Sequence, residues 1–184
     1  MKISPIIPGP FFGMPSDQDT KFYDKHKNYH QDVKVPTWIE YHLNIAAEIS
    51  KRSKDAQTKC GCVITNQSHH ILSTGYNSFV RGLPDDKMPN LRPNKYPFMI
   101  HAEMNAIFNR ESNWFLYPQG VRAYITSRPC LTCLQALWQN NVTEIFYSQY
   151  SKPVMLDGQD DDFNFFLSVL PIRVSEVDFG TINV

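Results

Sequence analysis

Cys60-Gly61-Cys62-Val63-Ile64-Thr65, then Asn66-Gln67-Ser68, then His70-Ile71-Leu72-Ser73-Thr74-Gly75-Tyr76-Asn77 read as strand, turn and returning strand. This hairpin decides the fold, because the elements after it alternate. Residues 101–111 favour helix, 121–126 strand, 130–140 helix and 142–147 strand. Asp160-Asp161-Asp162 then opens a helix through Leu170, its acids complementing the positive helix end, and 172–177 reads as a last strand. Upstream, Thr37-Trp38-Ile39-Glu40 matches a capping box, and Trp38, His42, Ile45 and Ile49 recur at helical spacing until the charged run 51–55. The order predicts a three-layer α/β/α domain whose mixed sheet starts with an antiparallel hairpin and carries helices on both faces. Residues 78–99, with Gly82, Pro84, Pro89, Pro93 and Pro97, are expected to form a long functional loop. Residues 1–36, with four prolines among the first fifteen, read as an arm before the domain at 37–184.

The chain has 184 residues, 42% of them hydrophobic and 20% charged, enough for a packed core without disulfides. Eighteen basic and eighteen acidic residues cancel, which argues against wholesale binding to nucleic acid or an anionic membrane. No long apolar run or signal-like start is present, so a cytoplasmic protein is expected. The four cysteines fall in two tight pairs, which suits metal or core duty better than a disulfide framework.

Two words carry chemistry: His101-Ala102-Glu103 and Pro129-Cys130-Leu131-Thr132-Cys133. H-x-E followed by P-C-x-x-C is the established signature of zinc nucleobase deaminases, applied here to this chain. A catalytic zinc takes three protein ligands and leaves a corner for water, and His101, Cys130 and Cys133 make three. Cysteines three apart in a first helical turn project to one side, where the helix end favours thiolate. Glu103, two positions past the histidine, suits proton transfer better than ligation. Zinc lowers the pKa of water toward ~7, and hydrolytic deamination follows. Cys60 and Cys62 read as buried small residues, His69 and His70 as exposed turn residues, and His42 as a core-edge histidine. A closed four-cysteine staple and a metal-free core remain as alternatives.

These motifs resemble the cytidine/deoxycytidylate deaminase superfamily, with the closer likeness to dCMP deaminases. The resemblance runs from about Trp38 to Asp178 through Trp38-x-Glu40-Tyr41, Arg52-Ser53-Lys54-Asp55, Gly75-Tyr76-Asn77, Lys95-Tyr96-Pro97 and, most specifically, residues 101–107, His-Ala-Glu-Met-Asn-Ala-Ile. It implies a cytidine-deaminase-like fold with a five-stranded mixed sheet, one catalytic zinc (Zn2+) on His101, Cys130 and Cys133, Glu103 as proton shuttle, and deamination of dCMP to dUMP and ammonia. Asn77 would hold the deoxyribose, Ala102 would contact substrate, Tyr124 or Tyr150 would line the base pocket, and Arg52, Ser53 and Lys54 would meet the phosphate. Arg81, Arg92 and Lys95 are rival phosphate contacts, and Arg128 either touches substrate or pairs with a neighbouring acid. A homo-oligomer, hexameric in similar enzymes, is implied, with Mg2+ only beside a triphosphate effector. The chain departs from the common Gly-Tyr-Asn-Gly-x-Pro at Ser78-Phe79-Val80, so family-type regulation by dCTP and dTTP is not expected to carry over. The same chemistry on dCTP, a 5-substituted dCMP or a tRNA adenosine, and a catalytically silent scaffold, are the competing readings.

Overall fold

The computed structural model describes residues 34–148 and 159–178. Contacts divide the chain into Met1–Val35 and Pro36–Val184, and the first unit lies almost wholly outside the described residues.

Helix α1 (Trp38–Ser50) begins at the expected capping box, where Glu40 N–H donates to Thr37 Oγ1 at 3.2 Å and Thr37 N–H donates to Glu40 Oε2 at 2.6 Å. Strands β1 (Gly61–Thr65) and β2 (Ile71–Tyr76) form the antiparallel hairpin. After it come β3 (Ser78–Phe79), β4 (Met99–Ile100), α2 (Ala102–Phe108), β5 (Val121–Ile125), α3 (Leu131–Gln139), β6 (Val142–Tyr147), α4 (Gln159–Val169) and β7 (Arg173–Glu176). The long 78–99 segment is less irregular than expected. Its two ends pair as the small β3–β4 ribbon, and Tyr96–Phe98 makes a 3-10 turn. Prolines inside the segment leave only those ends able to pair.

The main sheet has the order β2-β1-β5-β6-β7, antiparallel on the hairpin side and parallel from β5 to β7. Strand parity sorts its two faces. Val63 and its partner Tyr124 pack against Leu43 and Ala46 of α1. Cys62, Ile64, Ala123 and Ile125 face the other way, onto Ala102 and Ala106 of α2, Leu134 and Leu137 of α3, and Phe163 of α4. The architecture is the expected three-layer mixed sheet, with α1 alone on one face among the described helices.

Gly75 makes possible the seating of α2 on the sheet. A Cβ there would lie 2.2 Å from the Ala102 carbonyl oxygen and 2.3 Å from the Ala106 nitrogen, both backbone atoms that cannot swing aside. The N-terminus of α2 is thus fixed against β2 with only hydrogen in between.

On the opposite face, the histidine read as core-edge is fully buried. His42 is 0% exposed, lies 4.7 Å from the Tyr124 ring and 5.8 Å from the rings of Trp38 and His69, and neither ring nitrogen finds a partner among the described residues. His69 is half-buried in this stack, at 4.5 Å from Trp38, rather than exposed as expected; its positive φ of 67° turns the ring inward. Burial, helped by the nearby positive charges of His69 and Arg122, lowers the His42 pKa from 6.5 to about 4. The unfolded chain therefore takes up this proton near pH 6.5, whereas the folded chain resists it until about pH 4. Stability is lost as pH falls through that window, by roughly 3 kcal/mol from this group. Urea titrations at pH 7 and pH 4 check this: His42→Leu is expected to remove most of that part of the pH dependence.

Candidate active site

All four key groups sit where chain segments enter helices, Glu103 in the first turn of α2. His101 is the N-cap of α2, Cys130 is the N-cap of α3, and Cys133 lies in the first turn of α3. Both helices follow extended residues on the same face of the sheet, and α3 begins just beyond the carboxyl end of β5. In sheets with parallel strands, sites collect at such ends. His101 Nδ1 lies 3.6 Å from Cys130 Sγ and 3.5 Å from Cys133 Sγ, and the three ligating atoms fall within 4.8 Å of one another.

The thiols are unequal. The hydrogen bond from the Cys133 side chain, with further help from His101 and the Cys133 backbone N–H, holds the Cys130 pKa down to about 4 against the opposing effect of burial. Cys133, hydrogen-bonded to Cys130 and buried, is pushed well up. Its hydrogen bond to Cys130 raises the His101 pKa. One imidazole and two sulfurs are a donor set suited to zinc, and three protein ligands leave a position for water. Among the described residues no other cluster of three such groups occurs.

Glu103 is only 5% exposed, and burial raises its pKa. It shares with His101, Ala102 and Cys130 a cavity of about 150 Å³. A carboxyl placed beside the three ligand atoms and raised by burial is suited to taking and releasing a proton. Asn77 lies in the same cavity wall, as do Arg92, Lys95 and Arg128.

Other expected contacts fall elsewhere. Tyr124 does not reach this cavity: it is 1% exposed on the α1 face, between His42 and the Phe146 ring at 5.3 Å. Its neighbour Ile125, of opposite parity, lines the cavity instead. Tyr150 lies outside the described residues. Arg52 and Lys54 border a separate cavity of about 110 Å³, and Lys54 pairs with Asp85 at 2.7 Å. Ser53 is buried, its hydroxyl accepting from the Asp55 backbone N–H. The turn after α1 thus sends only Asp55 into the larger cavity while its neighbours face away. Lys95 is not available to a phosphate, because it is buried against Asp55 at 2.6 Å. Arg128 pairs with Asp160 at 2.5 Å and lies 4.1 Å over the Phe163 ring, while it also borders the cavity. Arg81 is exposed and does not line the cavity. Arg92 remains: it is exposed, its guanidinium donates to Thr58 Oγ1 at 2.6 Å, and it has no carboxylate partner among the described residues.

Sequence reasoning missed Asp55, Thr58, Cys60 and Ser127 as cavity residues. The signal for Asp55 was present in the Arg52-Ser53-Lys54-Asp55 string, where the basic residues drew attention from the acid beside them. All four cysteines are unbridged, as expected. At the place where similar enzymes carry glycine, Ser78 Oγ accepts from Asn105 Nδ2 at 3.0 Å, linking β3 to α2.

Comparison with known proteins bears on the family and the fold. The chain is 33% identical to the deoxycytidylate deaminase of Homo sapiens over 116 residues, covering 60% of this chain and 64% of that protein. It is 38% identical to a probable deoxycytidylate deaminase of Caenorhabditis elegans over 109 residues, covering 57% and 54%. The chain therefore spans less than two thirds of the length of these curated relatives. Among solved structures, the dCMP deaminase of cyanophage S-TIM5 in complex with dCMP and dUMP shares the fold, with a TM-score of 0.61 and 23% identity over 79% of this chain and 100% of that one. Its apo form gives a TM-score of 0.58 at 24% identity, over 78% of this chain and 100% of that one. Residues 36–149 match the family described as the cytidine and deoxycytidylate deaminase zinc-binding region, and the chain belongs to that family.

Proposed function

We propose that this chain is a zinc-dependent hydrolase that converts dCMP and water into dUMP and ammonia, a step that feeds thymidylate synthesis. The observation that carries this reading is the convergence of one imidazole and two sulfurs within 4.8 Å beside the buried carboxyl of Glu103. The names of the curated relatives support the choice of dCMP. His101, Cys130 and Cys133 would hold the ion, and zinc, when bound, supplies a Lewis acid that activates water. Glu103 would take one proton from the attacking water and pass it to the ring nitrogen, which keeps it, and then take the second proton from the hydroxyl now on C4 and pass it to the amine, which leaves as ammonia as the C4 carbonyl forms. Ala102 and the apolar side chains of Ile125 and Met99 flank the base and restrict bulk water around the carboxyl. Arg92 takes the phosphate role in this reading, in place of Arg52 and Lys54. Its guanidinium is oriented by Thr58 and keeps donors for two oxygens of a dianion.

The working form in this proposal is a cytoplasmic homo-oligomer whose catalytic domain is 37–184, with 1–36 as an arm. Among the described residues no helix is long and apolar enough to cross a membrane.

Ammonia release by the purified, zinc-assayed protein from dCMP, dCTP, CMP, cytidine and adenosine tests the reading, with dTTP added in parallel. The expected result is bound zinc and the highest kcat/KM on dCMP, with no response to dTTP. Zinc-loaded protein that releases ammonia from none of the panel overturns the hydrolase; a different leading substrate overturns the choice of dCMP.

A further inference from the structure

We propose that the Ser78 hydroxyl is a positioning group: through Asn105 it fixes how the first turn of α2 is rolled against the sheet, and so where the Glu103 carboxyl points. The inference deepens the proposed deamination of dCMP and rests on it.

Ser78 meets the chain on both sides of the reacting residues. Its backbone pairs with Ile100 in the β3–β4 ribbon, immediately before His101. Its hydroxyl oxygen accepts from Asn105 Nδ2 at 3.0 Å, two positions after Glu103. His101, Ala102 and Glu103 therefore lie between two attachments to one serine. The hydroxyl proton is directed to the Phe79 carbonyl at 3.1 Å, which leaves the oxygen to accept from the asparagine. A residue without a side-chain acceptor at position 78 could not make this link.

Asn105 is committed in the same direction. Its Nδ2 also donates to the Tyr76 carbonyl at 2.7 Å, so both of its N–H groups are used on the stretch 76–78. Its backbone N–H donates to the carbonyl of His101, the N-cap of α2, at 3.0 Å. The asparagine thus joins the helix start at one end to β2 and β3 at the other. Ser73 Oγ donates to the Ala106 carbonyl at 2.5 Å, and Asn109 Nδ2 donates to the Thr74 carbonyl at 3.0 Å, but these two bonds hold the later part of the helix.

The close contact at Gly75 does a different job. It sets how near α2 lies to β2, yet backbone meeting backbone at one point leaves rotation about the helix axis open. A side-chain bond that reaches out to β3 closes that freedom. Glu103 depends on it, because a buried carboxyl in the first turn must meet both the attacking water and the ring nitrogen. A misplacement of about 1 Å in a reacting group can cost on the order of 10²-fold in rate.

The test uses the zinc-loaded full chain and reads kcat and KM on dCMP per bound zinc. Ser78→Ala is expected to lower kcat by about five- to tenfold, as for one lost neutral hydrogen bond, and to move KM by less than about twofold. Ser78→Thr, which keeps the hydroxyl, is expected to stay within about twofold of wild type. In an Asn105→Ala background the same Ser78→Ala change is expected to add nothing further, because the two residues act as one unit. A role confined to stability would lower the thermal midpoint of Ser78→Ala and leave kcat per zinc where it was, and that result overturns the proposal. So does loss of zinc from Ser78→Ala, a Ser78→Thr protein as slow as Ser78→Ala, an effect carried by KM alone, or an equal effect of Ser78→Ala with and without Asn105. A zinc-loaded wild type that does not turn over dCMP overturns the functional reading and this inference together, whereas turnover that Ser78→Ala leaves unchanged overturns this inference alone.

Discussion

Glu103→Gln is expected to lower kcat on dCMP by about 10²- to 10⁴-fold, the range typical of a positioned proton-transfer group. Glutamine preserves the volume of this buried side chain and is neutral, so packing beside Ala102 and Ala106 is little disturbed. It cannot accept a proton from water or return one to the leaving amine. Zinc content and thermal midpoint should stay near wild type while turnover collapses, and KM should move much less than kcat, because the group acts in the transition state rather than in binding. Metal analysis and steady-state kinetics on one preparation separate these quantities. Turnover at the wild-type level in the variant would remove Glu103 from the reaction.

The second large effect is on the metal. Cys130→Ala or Cys133→Ala removes one of the three donors that lie within 4.8 Å of one another. Partners that only orient a ligand cost about 10- to 100-fold in metal affinity, and loss of a ligand is expected to exceed that. Activity should fall below detection. A structural readout accompanies it: bound zinc stabilises the folded state by mass action, by about 4 kcal/mol when free metal stands at a thousand times its Kd. A chelator should therefore lower the wild-type thermal midpoint and leave that of either variant unmoved. A chelator-insensitive wild type would count against the assigned ligand set.

The parts of the molecule legible in the sequence are those encoded by short-range pattern. Thr37 and Glu40 mark the start of α1 because a capping box spans four residues, and the ligand words 101–103 and 129–133 fix their own local geometry. Tyr124, one of the two aromatics that the resemblance offers for the base pocket, faces away from the cavity, and its place could not be read from the strand for a physical reason. Strand β5 is covered on both faces, so Val121, Ala123, Tyr124 and Ile125 are all buried and no polar alternation shows which parity faces the site. The phosphate contacts misled in another way. Charge alone singles out Arg52 and Lys54, but whether a cation is spent depends on partners far along the chain, such as Asp85 for Lys54 and Asp55 for Lys95. Spacing carries no information about a pair separated by forty positions.

The contact at Gly75 bears on how such a site can be remodelled. At Gly75 backbone lies directly on backbone, so no side chain at that contact is available to be trimmed or repacked, and the strand and the start of the helix form one inelastic seam that carries His101 and Glu103. Adaptation to a larger or smaller nucleotide must then come from the opposite rim, where Arg92 and Tyr96 project from a connection that can change length without unseating the reacting groups.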